Sequence, residues 1–305
     1  PQGITMKVVG TPERPGDAGP DLAALTAAVD ETTAALIVQN PDFLGRLHDL
    51  SSLADAVHAR GALLAIHVDP IATSIFRSPG SLGADIVTGE GQPLGIPLSY
   101  GGPYLGIFAA RKELVRKMPG RLAGRTTDAN GTRGFVLTLN TREQHIRREK
   151  ATSNICTNQG LMALRATIYL ATMGPEGLRE AANLCYRKAN YAAARLAELP
   201  GVRVNLAGAA AGAGDETSAA SSPTGQTGAT NALPVFKEFV LETPLPAAEV
   251  IARCAESGVT PGLDLSRYYP ERAHELLVAV TEQYSRSQID RLVDTVRAAL
   301  PEASA

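Results

Sequence analysis

The chain has 305 residues, with 29 Lys or Arg, 31 Asp or Glu, and a formal net charge of −2 at pH 7. This balance gives no electrostatic footprint for nucleic acid or for an anionic membrane surface, and the longest apolar runs are far too short to span a bilayer. Three cysteines without CxxC spacing indicate reduced thiols. We therefore expect a cytoplasmic globular protein that binds neither nucleic acid nor membrane.

The first part of the chain alternates between predicted strands and predicted helices. Apolar strands that alternate with amphipathic helices predict a mostly parallel sheet with helices on both faces. Ligands of such sheets bind at the carboxyl ends of the strands. The predicted strands cover residues 5–10, 34–41, 62–70, 84–89 and 104–111, and the predicted helices cover 21–30 and 49–61.

Two long helices are predicted over residues 152–174 and 175–199, because glycine at a helix end followed by proline at a helix start is a common asymmetry. Beyond them, strands at 202–206, 233–242 and 275–282 and helices at 246–258 and 285–300 predict a small α+β unit. We expect a large domain over 1–150, interdomain helices over 151–200 and a small domain over 201–305. Residues 207–230 are rich in Ala, Gly, Ser and Thr and predict a flexible insert.

Asp69 and Gln92 each follow a predicted strand that ends at the ligand-binding edge of the sheet. Their positions resemble those of two residues in pyridoxal-phosphate (PLP) enzymes of the aspartate aminotransferase type. In those enzymes the acid pairs with the pyridine nitrogen and keeps it protonated, and a lysine at the second position binds the cofactor covalently. Here an amide replaces the lysine. An equally simple interpretation of Asp69 is an acid that caps a turn at Pro70.

Other polar residues leave alternatives open. His67 lies on the same strand face as Asp69, but no third metal ligand is near, so we predict a hydrogen-bonded histidine and no metal site. Of the six lysines, Lys150 is the one in an unusual segment, HIRREKATSN, which is dense in polar side chains. It is therefore the rival candidate for covalent PLP binding. Lys237 is assigned to a strand of the small domain. Residues 152–154 are good helix caps that could also contact a phosphate.

Four segments carry a family resemblance that extends over nearly the whole chain except residues 207–230. They resemble the alpha subunits (subunit 1) of glycine decarboxylase, the P-protein family of the glycine cleavage system. The block at 118–161 is long and specific to that family. The segments are 83–95, 99–111, 118–161 and 262–282.

The resemblance implies a PLP-dependent transferase fold of type I and an α2β2 assembly. In such an assembly glycine is decarboxylated and its aminomethyl group passes to the lipoyl arm of the H-protein. The resemblance also implies that the beta subunit carries the PLP lysine, so that this chain holds no covalent cofactor and is inactive alone. Gln92 agrees with that role. The alternative is a PLP-free scaffold or regulatory protein of the same fold.

The resemblance also implies candidate residues for an interface or a shared cleft. A glycine turn after the lysine strand reaches the partner's cofactor phosphate in related dimers. Family alpha subunits have a long segment before the position of Pro1, so we expect an amino-terminally truncated chain with an incomplete large domain that is poorly soluble alone. The candidate residues are His67, Asp69, Ser99, Gly101, Gly102, Thr152, Ser153 and Asn154.

Overall fold

The computed structural model describes residues 3–9, 22–151, 159–204 and 234–301. The candidate residues Thr152, Ser153 and Asn154 and the insert predicted at 207–230 lie outside these ranges. Among the described residues, no helix has the length and apolar character needed to cross a membrane.

The first sheet has four strands: β1 (Ala35–Asn40), β2 (Leu63–Val68), β3 (Ile86–Glu90) and β4 (Gly106–Ala110). They lie in the order β1-β2-β3-β4. The first three are parallel, and β4 runs antiparallel to β3. These strands confirm the four predicted between residues 34 and 111, and the mostly parallel character of the sheet.

The strand predicted at 5–10 is wrong for the part that the structure describes. Residues 4–9 have no strand partner there, and Ile4, Met6 and Val8 are 76%, 87% and 74% exposed. An alternating apolar pattern becomes a strand only where a neighbouring strand can pair with its backbone.

Two short helices pack against the sheet, α1 (Leu22–Ala27) and α2 (Leu53–His58). Both confirm predicted helices but are shorter. Leu53 and Val57 of α2 are fully buried and share a core cluster with Leu64 and Ile66 of β2, so the helix is fixed mainly by its apolar face.

A hairpin that was not predicted follows the first sheet: β5 (Leu122–Thr127) pairs with β6 (Arg133–Thr138). Its turn is held by the Asp128 carboxylate, which accepts hydrogen bonds from the amides of Asn130 and Thr132 (both 2.8 Å). The short helix α3 (Gln144–Arg147) comes next. Short 3₁₀ helices occupy Ala72–Ser74, Pro79–Leu82, Lys112–Lys117, Asn140–Arg142, Arg148–Lys150, Leu265–Arg267 and Pro270–Arg272.

Two helices separated at Gly174, where φ is 60° and ψ is −178°, together form α4 (Gly160–Ala197). This break confirms the two helices predicted on either side of Gly174–Pro175, which are called the first and second arms of α4. The second arm buries an alanine-rich face against the rest of the molecule. The first arm leaves Leu161, Leu164 and Ile168 more than half exposed.

The second sheet contains β7 (Arg203–Val204), β8 (Glu238–Glu242), β9 (Leu263–Asp264) and β10 (Glu275–Ala279), in the order β7-β8-β10-β9. All its pairings are antiparallel. The helices α5 (Ala247–Glu256) and α6 (Arg286–Ala299) pack with it around a shared core. Three strands and both helices confirm the prediction, and β9 was not predicted. The division into domains stays a prediction.

The two sheets are joined beside the carboxyl end of β1. Arg46 forms an antiparallel bridge with Val235. The Leu47 amide donates to the Pro234 carbonyl oxygen (2.7 Å), and the Phe236 amide donates to that of Gly45 (3.2 Å). This junction places the start of β8 against the strand ends of the first sheet.

Candidate functional site

A cleft of about 230 Å³ lies where the carboxyl ends of the parallel strands face the start of β8. Strand β2 contributes His67 and is followed by Asp69, β3 is followed by Gln92, and Lys237 faces them from just before β8. The structure thus brings together three residues that the sequence singled out, at the edge where ligands of parallel sheets bind.

Asp69 is held from two sides. Its Oδ1 accepts hydrogen bonds from the backbone amides of Ile71 (2.8 Å) and Ala72 (3.3 Å), which confirms the turn-capping interpretation. Its Oδ2 forms an ion pair with the Nζ of Lys237. The same carboxylate therefore caps the turn after β2 and presents a paired negative charge to the cleft.

Lys237 is the site residue that sequence reasoning missed. Burial works against its charged form, but the Asp69 carboxylate outweighs burial and raises the pKa of Lys237 above its ordinary value. The amine is therefore protonated at neutral pH and is not a nucleophile. A signal was present in the sequence, because this lysine lies in an apolar segment, with Phe236 before it and Phe239 two residues after it, and a charge among apolar side chains needs a counter-charge once it is buried.

Both nitrogens of Gln92 donate hydrogen bonds within the turn after β3. Its backbone amide donates to Oε1 of Glu90 (2.9 Å), and its side-chain Nε2 donates to the carbonyl oxygen of Ile96 (2.7 Å). A carboxamide has no basic nitrogen that could condense with an aldehyde. The position predicted to match the PLP lysine therefore serves a structural purpose.

His67 has a local partner. Its Nδ1 lies 3.0 Å from Oγ1 of Thr88 on the neighbouring strand β3, which agrees with the predicted hydrogen-bonded histidine. Within the described ranges, no group of three or more His, Cys, Asp or Glu residues is arranged to hold a metal ion.

The cleft is rich in carboxylates. Glu90 and Glu238 line it together with Asp69, and Lys237 is the one lysine among the described lining residues. Burial raises the pKa of Glu238, and nearby Asp69 and Asp42 act in the same direction against the opposing charge of Lys237. The field in the cleft therefore favours a cation over an anion.

The remaining candidates lie elsewhere. Ser99, Gly101 and Gly102 form a turn in which both glycines have φ of +116°, and Tyr100 between them is fully exposed. Lys150 is exposed in a short 3₁₀ helix. These residues are outside the part of the cleft lining that the structure describes.

The residues of this cleft do not fit PLP. No amine is available at Gln92, and Asp69, which would pair with the pyridine nitrogen, is already paired with Lys237.

Comparison with known proteins gives a consistent result. A family model described as the glycine cleavage system P-protein matches residues 8–208. A probable glycine dehydrogenase (decarboxylating) subunit 1 from Thermomicrobium roseum is 51% identical over 271 residues, which are 89% of this chain and 55% of that protein. The subunit of the same name from Desulforamulus reducens is 50% identical over 272 residues, with the same coverage. The chain spans about half the length of these curated relatives.

Solved structures agree. A crystal structure of glycine decarboxylase (P-protein) of the glycine cleavage system, in inhibitor-bound form, superposes with a TM-score of 0.76 at 40% identity, over 89% of this chain and 56% of that one. A cysteine desulfurase from Escherichia coli superposes with a TM-score of 0.62 at 14% identity, over 95% and 64%, which shows the fold alone. The fold is that of PLP-dependent transferases of type I, as predicted. The chain belongs to the glycine cleavage system P-protein family.

Proposed function

We propose that this chain is the supporting alpha subunit (subunit 1) of glycine dehydrogenase (aminomethyl-transferring) in a cytoplasmic α2β2 complex. In this role it assists PLP-dependent decarboxylation of glycine and aminomethyl transfer to a lipoyl H-protein, and it is inactive alone. The beta subunit supplies the lysine that holds PLP. Relatives named subunit 1 support this proposal.

The observation that carries the proposal is the state of Gln92. The residue follows strand β3, at the position that the family resemblance assigns to the catalytic lysine, and its amide is hydrogen-bonded to the Ile96 carbonyl oxygen. This chain keeps the fold and the strand-end Asp69 but uses position 92 for a turn. It therefore offers no lysine at that position to bind PLP covalently. The protonated, ion-paired Lys237 does not replace that anchor.

The proposed partner surface is the exposed apolar part of the molecule. The first arm of α4 exposes Leu161, Leu164 and Ile168, and the hairpin strand β6 exposes Phe135 and Leu137. Large exposed apolar groups on a soluble protein mark an interaction surface. We assign this surface to the beta subunit, and the turn that carries Ser99, Gly101 and Gly102 to contact near the partner's cofactor.

Glycine–bicarbonate exchange tests the proposal. The assay contains PLP and lipoyl H-protein, with this subunit alone, a beta-type subunit alone, and their mixture. We expect exchange only in the mixture and co-elution of the two subunits on size exclusion. Exchange by this subunit alone would overturn the proposal and direct attention to Lys150, with Lys150→Ala as the next variant. Absence of association with a beta-type subunit would instead favour the scaffold alternative.

A matched pair of variants makes the assay sharper. Gln92→Ala removes the turn hydrogen bond but no catalytic group, so we expect the mixture to keep most of its exchange activity. Substitution to alanine of the lysine that binds PLP in the beta-type subunit is expected to abolish exchange. Equal loss of exchange activity from both variants would argue against a purely supporting role for this chain.

A further inference from the structure

We propose that Lys237 acts as a built-in cation in place of a protonated pyridine ring, so that its ion pair with Asp69 closes this cleft to PLP. A glutamine at position 92 offers no amine to hold the cofactor covalently. It would not by itself prevent PLP from binding non-covalently at the acid. The ion pair supplies that second barrier.

The geometry engages both carboxylate oxygens of Asp69 within the chain. Its Oδ1 caps the turn through the amides of Ile71 and Ala72, and its Oδ2 faces the ammonium of Lys237. The two paired side chains are 13% and 21% exposed. A ring nitrogen could reach this carboxylate only by displacing the ammonium.

Displacement would be costly because of where Lys237 is anchored. The residue lies between fully buried Phe236 and the start of β8, and the junction to the first sheet restrains its backbone through the Phe236 amide. Displacement would break the ion pair of a residue that stays partly buried, which is unfavourable. Glu238, the next residue, lines the same cleft.

The inference deepens the proposed supporting role and rests on it for its biological meaning, but its test needs no catalytic activity. The full chain would be prepared as Gln92→Lys, as Gln92→Lys with Lys237→Met, and as Gln92→Lys with Lys112→Met. The last is the matched control, because Lys112 is an exposed lysine that is not among the described lining residues of the cleft. Each protein would be incubated with PLP and reduced with borohydride, and the pyridoxyl group located by peptide mass spectrometry.

The chemistry of the readout is simple. The introduced lysine amine condenses with the cofactor aldehyde and releases water, and hydride from borohydride then reduces the carbon–nitrogen double bond to a stable amine. We expect labelling of residue 92 to be at least about tenfold greater with Lys237→Met than in Gln92→Lys alone, a factor equivalent to about 1.4 kcal/mol. The Lys112→Met control should match Gln92→Lys alone.

Equal labelling of residue 92 in all three proteins, whether high or absent, would overturn the proposal. Labelling of Lys237 itself would also overturn it, because that residue would then be a reactive amine. Far-UV circular dichroism and a melting curve establish that each variant is folded. If Lys237→Met does not fold, Lys237→Gln removes the charge with a polar side chain that is one atom shorter, and the same outcomes apply. Failure of the glycine exchange assay would leave this peptide-level result unchanged.

Discussion

Asp42 shows how one carboxylate organises the turn that borders the cleft. Its Oδ1 accepts from the amides of Leu44 (2.9 Å) and Arg46 (3.0 Å), and its Oδ2 lies 3.0 Å from Nε of Arg46 and 2.8 Å from Nε2 of His48. Burial favours the neutral acid, but the hydrogen bond to His48 and the Arg46 charge hold the pKa of Asp42 below its ordinary value.

Replacement of Asp42 by asparagine should destabilise the protein by about 3 kcal/mol at pH 7, because buried Arg46 would lose its ion pair with this carboxylate. A carboxyl whose pKa is lowered in the folded state stabilises the fold above the unfolded-state value of 3.8. That contribution is lost as the pH falls through the lower, folded-state value. Urea unfolding across this range should therefore show the difference between wild type and Asp42→Asn shrinking below pH 3.8.

The control for Asp42 is Asp55→Asn, at an exposed position of α2, which should change the free energy of unfolding by no more than about 0.5 kcal/mol. A difference between wild type and Asp42→Asn that stays constant or grows on acidification would contradict the proposed origin of the stability.

At Gly45 the backbone beside the first sheet lies in close contact with the backbone of strand β8 in the second sheet. Its φ is +82°, and a Cβ there would overlap the carbonyl group of Glu238. Gly61 has a similar φ of +73° and open space around the same position. The two glycines therefore separate conformational strain from steric overlap.

We expect Gly61→Ala to lower the free energy of unfolding by about 1–2 kcal/mol through its left-handed backbone alone. Gly45→Ala should lose at least about 2 kcal/mol more, because β8 must move to admit the methyl group. Urea unfolding of both variants measures the two losses. Equal losses would mean that the junction is looser than the structure shows.

Single-residue chemistry was only partly predictable. Asp69 and Gln92 were found because each follows a strand that its apolar run identifies. Lys237 was missed because its partner lies far away in the sequence, and pairing across two sheets leaves no local pattern. The surrounding apolar residues showed that a counter-charge was needed but not which one.

Helix α4 carries the clearest element-scale signal. Gly174 adopts φ 60° and ψ −178° inside the helix, a region that is essentially restricted to glycine. The bend separates an arm with a buried face from an arm whose leucines are exposed.

Gly174→Ala should lower the free energy of unfolding by about 1–3 kcal/mol. Gly177→Ala, three residues later, should change it less, because the helix preference of alanine, about 1 kcal/mol, offsets the tight contact of the new Cβ with Cβ of Met173 at 3.3 Å. Thermal unfolding of the two variants would show the larger loss for Gly174→Ala. A stabilising Gly174→Ala would mean that the bend is not required by the fold.

Helices and strands with a clear apolar pattern could be predicted from the sequence. The apolar runs of β1 to β3 and the helical spacing in α5 and α6 identified those elements. The two-residue strand β9 is too short to show a period. The hairpin β5–β6 is polar over the end of β5 and leaves Phe135, Val136 and Leu137 of β6 exposed. Its sequence therefore lacks the apolar pattern that burial against a core produces.

At the scale of the whole molecule, apolar exposure is unevenly distributed. Leu161, Leu164 and Ile168 are 71%, 56% and 58% exposed and recur at helical spacing on one side of α4. A surface of this kind favours association.

Simultaneous Leu161→Gln, Leu164→Gln and Ile168→Gln should change the free energy of unfolding by about 0.5 kcal/mol or less per site, because exposed side chains contribute little to the core. Binding to a beta-type subunit should weaken strongly, as should self-association of the isolated chain in sedimentation velocity. Thr167→Gln, an exposed neighbour on α4, is the matched control and should leave both unchanged. Unaltered association of the triple variant would place the interface elsewhere.

Two backbone amides at the junction between the sheets can report its opening by hydrogen exchange. The amide hydrogens of Leu47 and Phe236 donate to carbonyl groups on the opposite side of the junction, so separation of the two sheets would expose both to solvent deuterium. Concerted exchange of these two hydrogens is therefore expected to report opening of the cleft. A ligand or partner that seals the cleft would slow these two hydrogens together, even where it contacts neither residue.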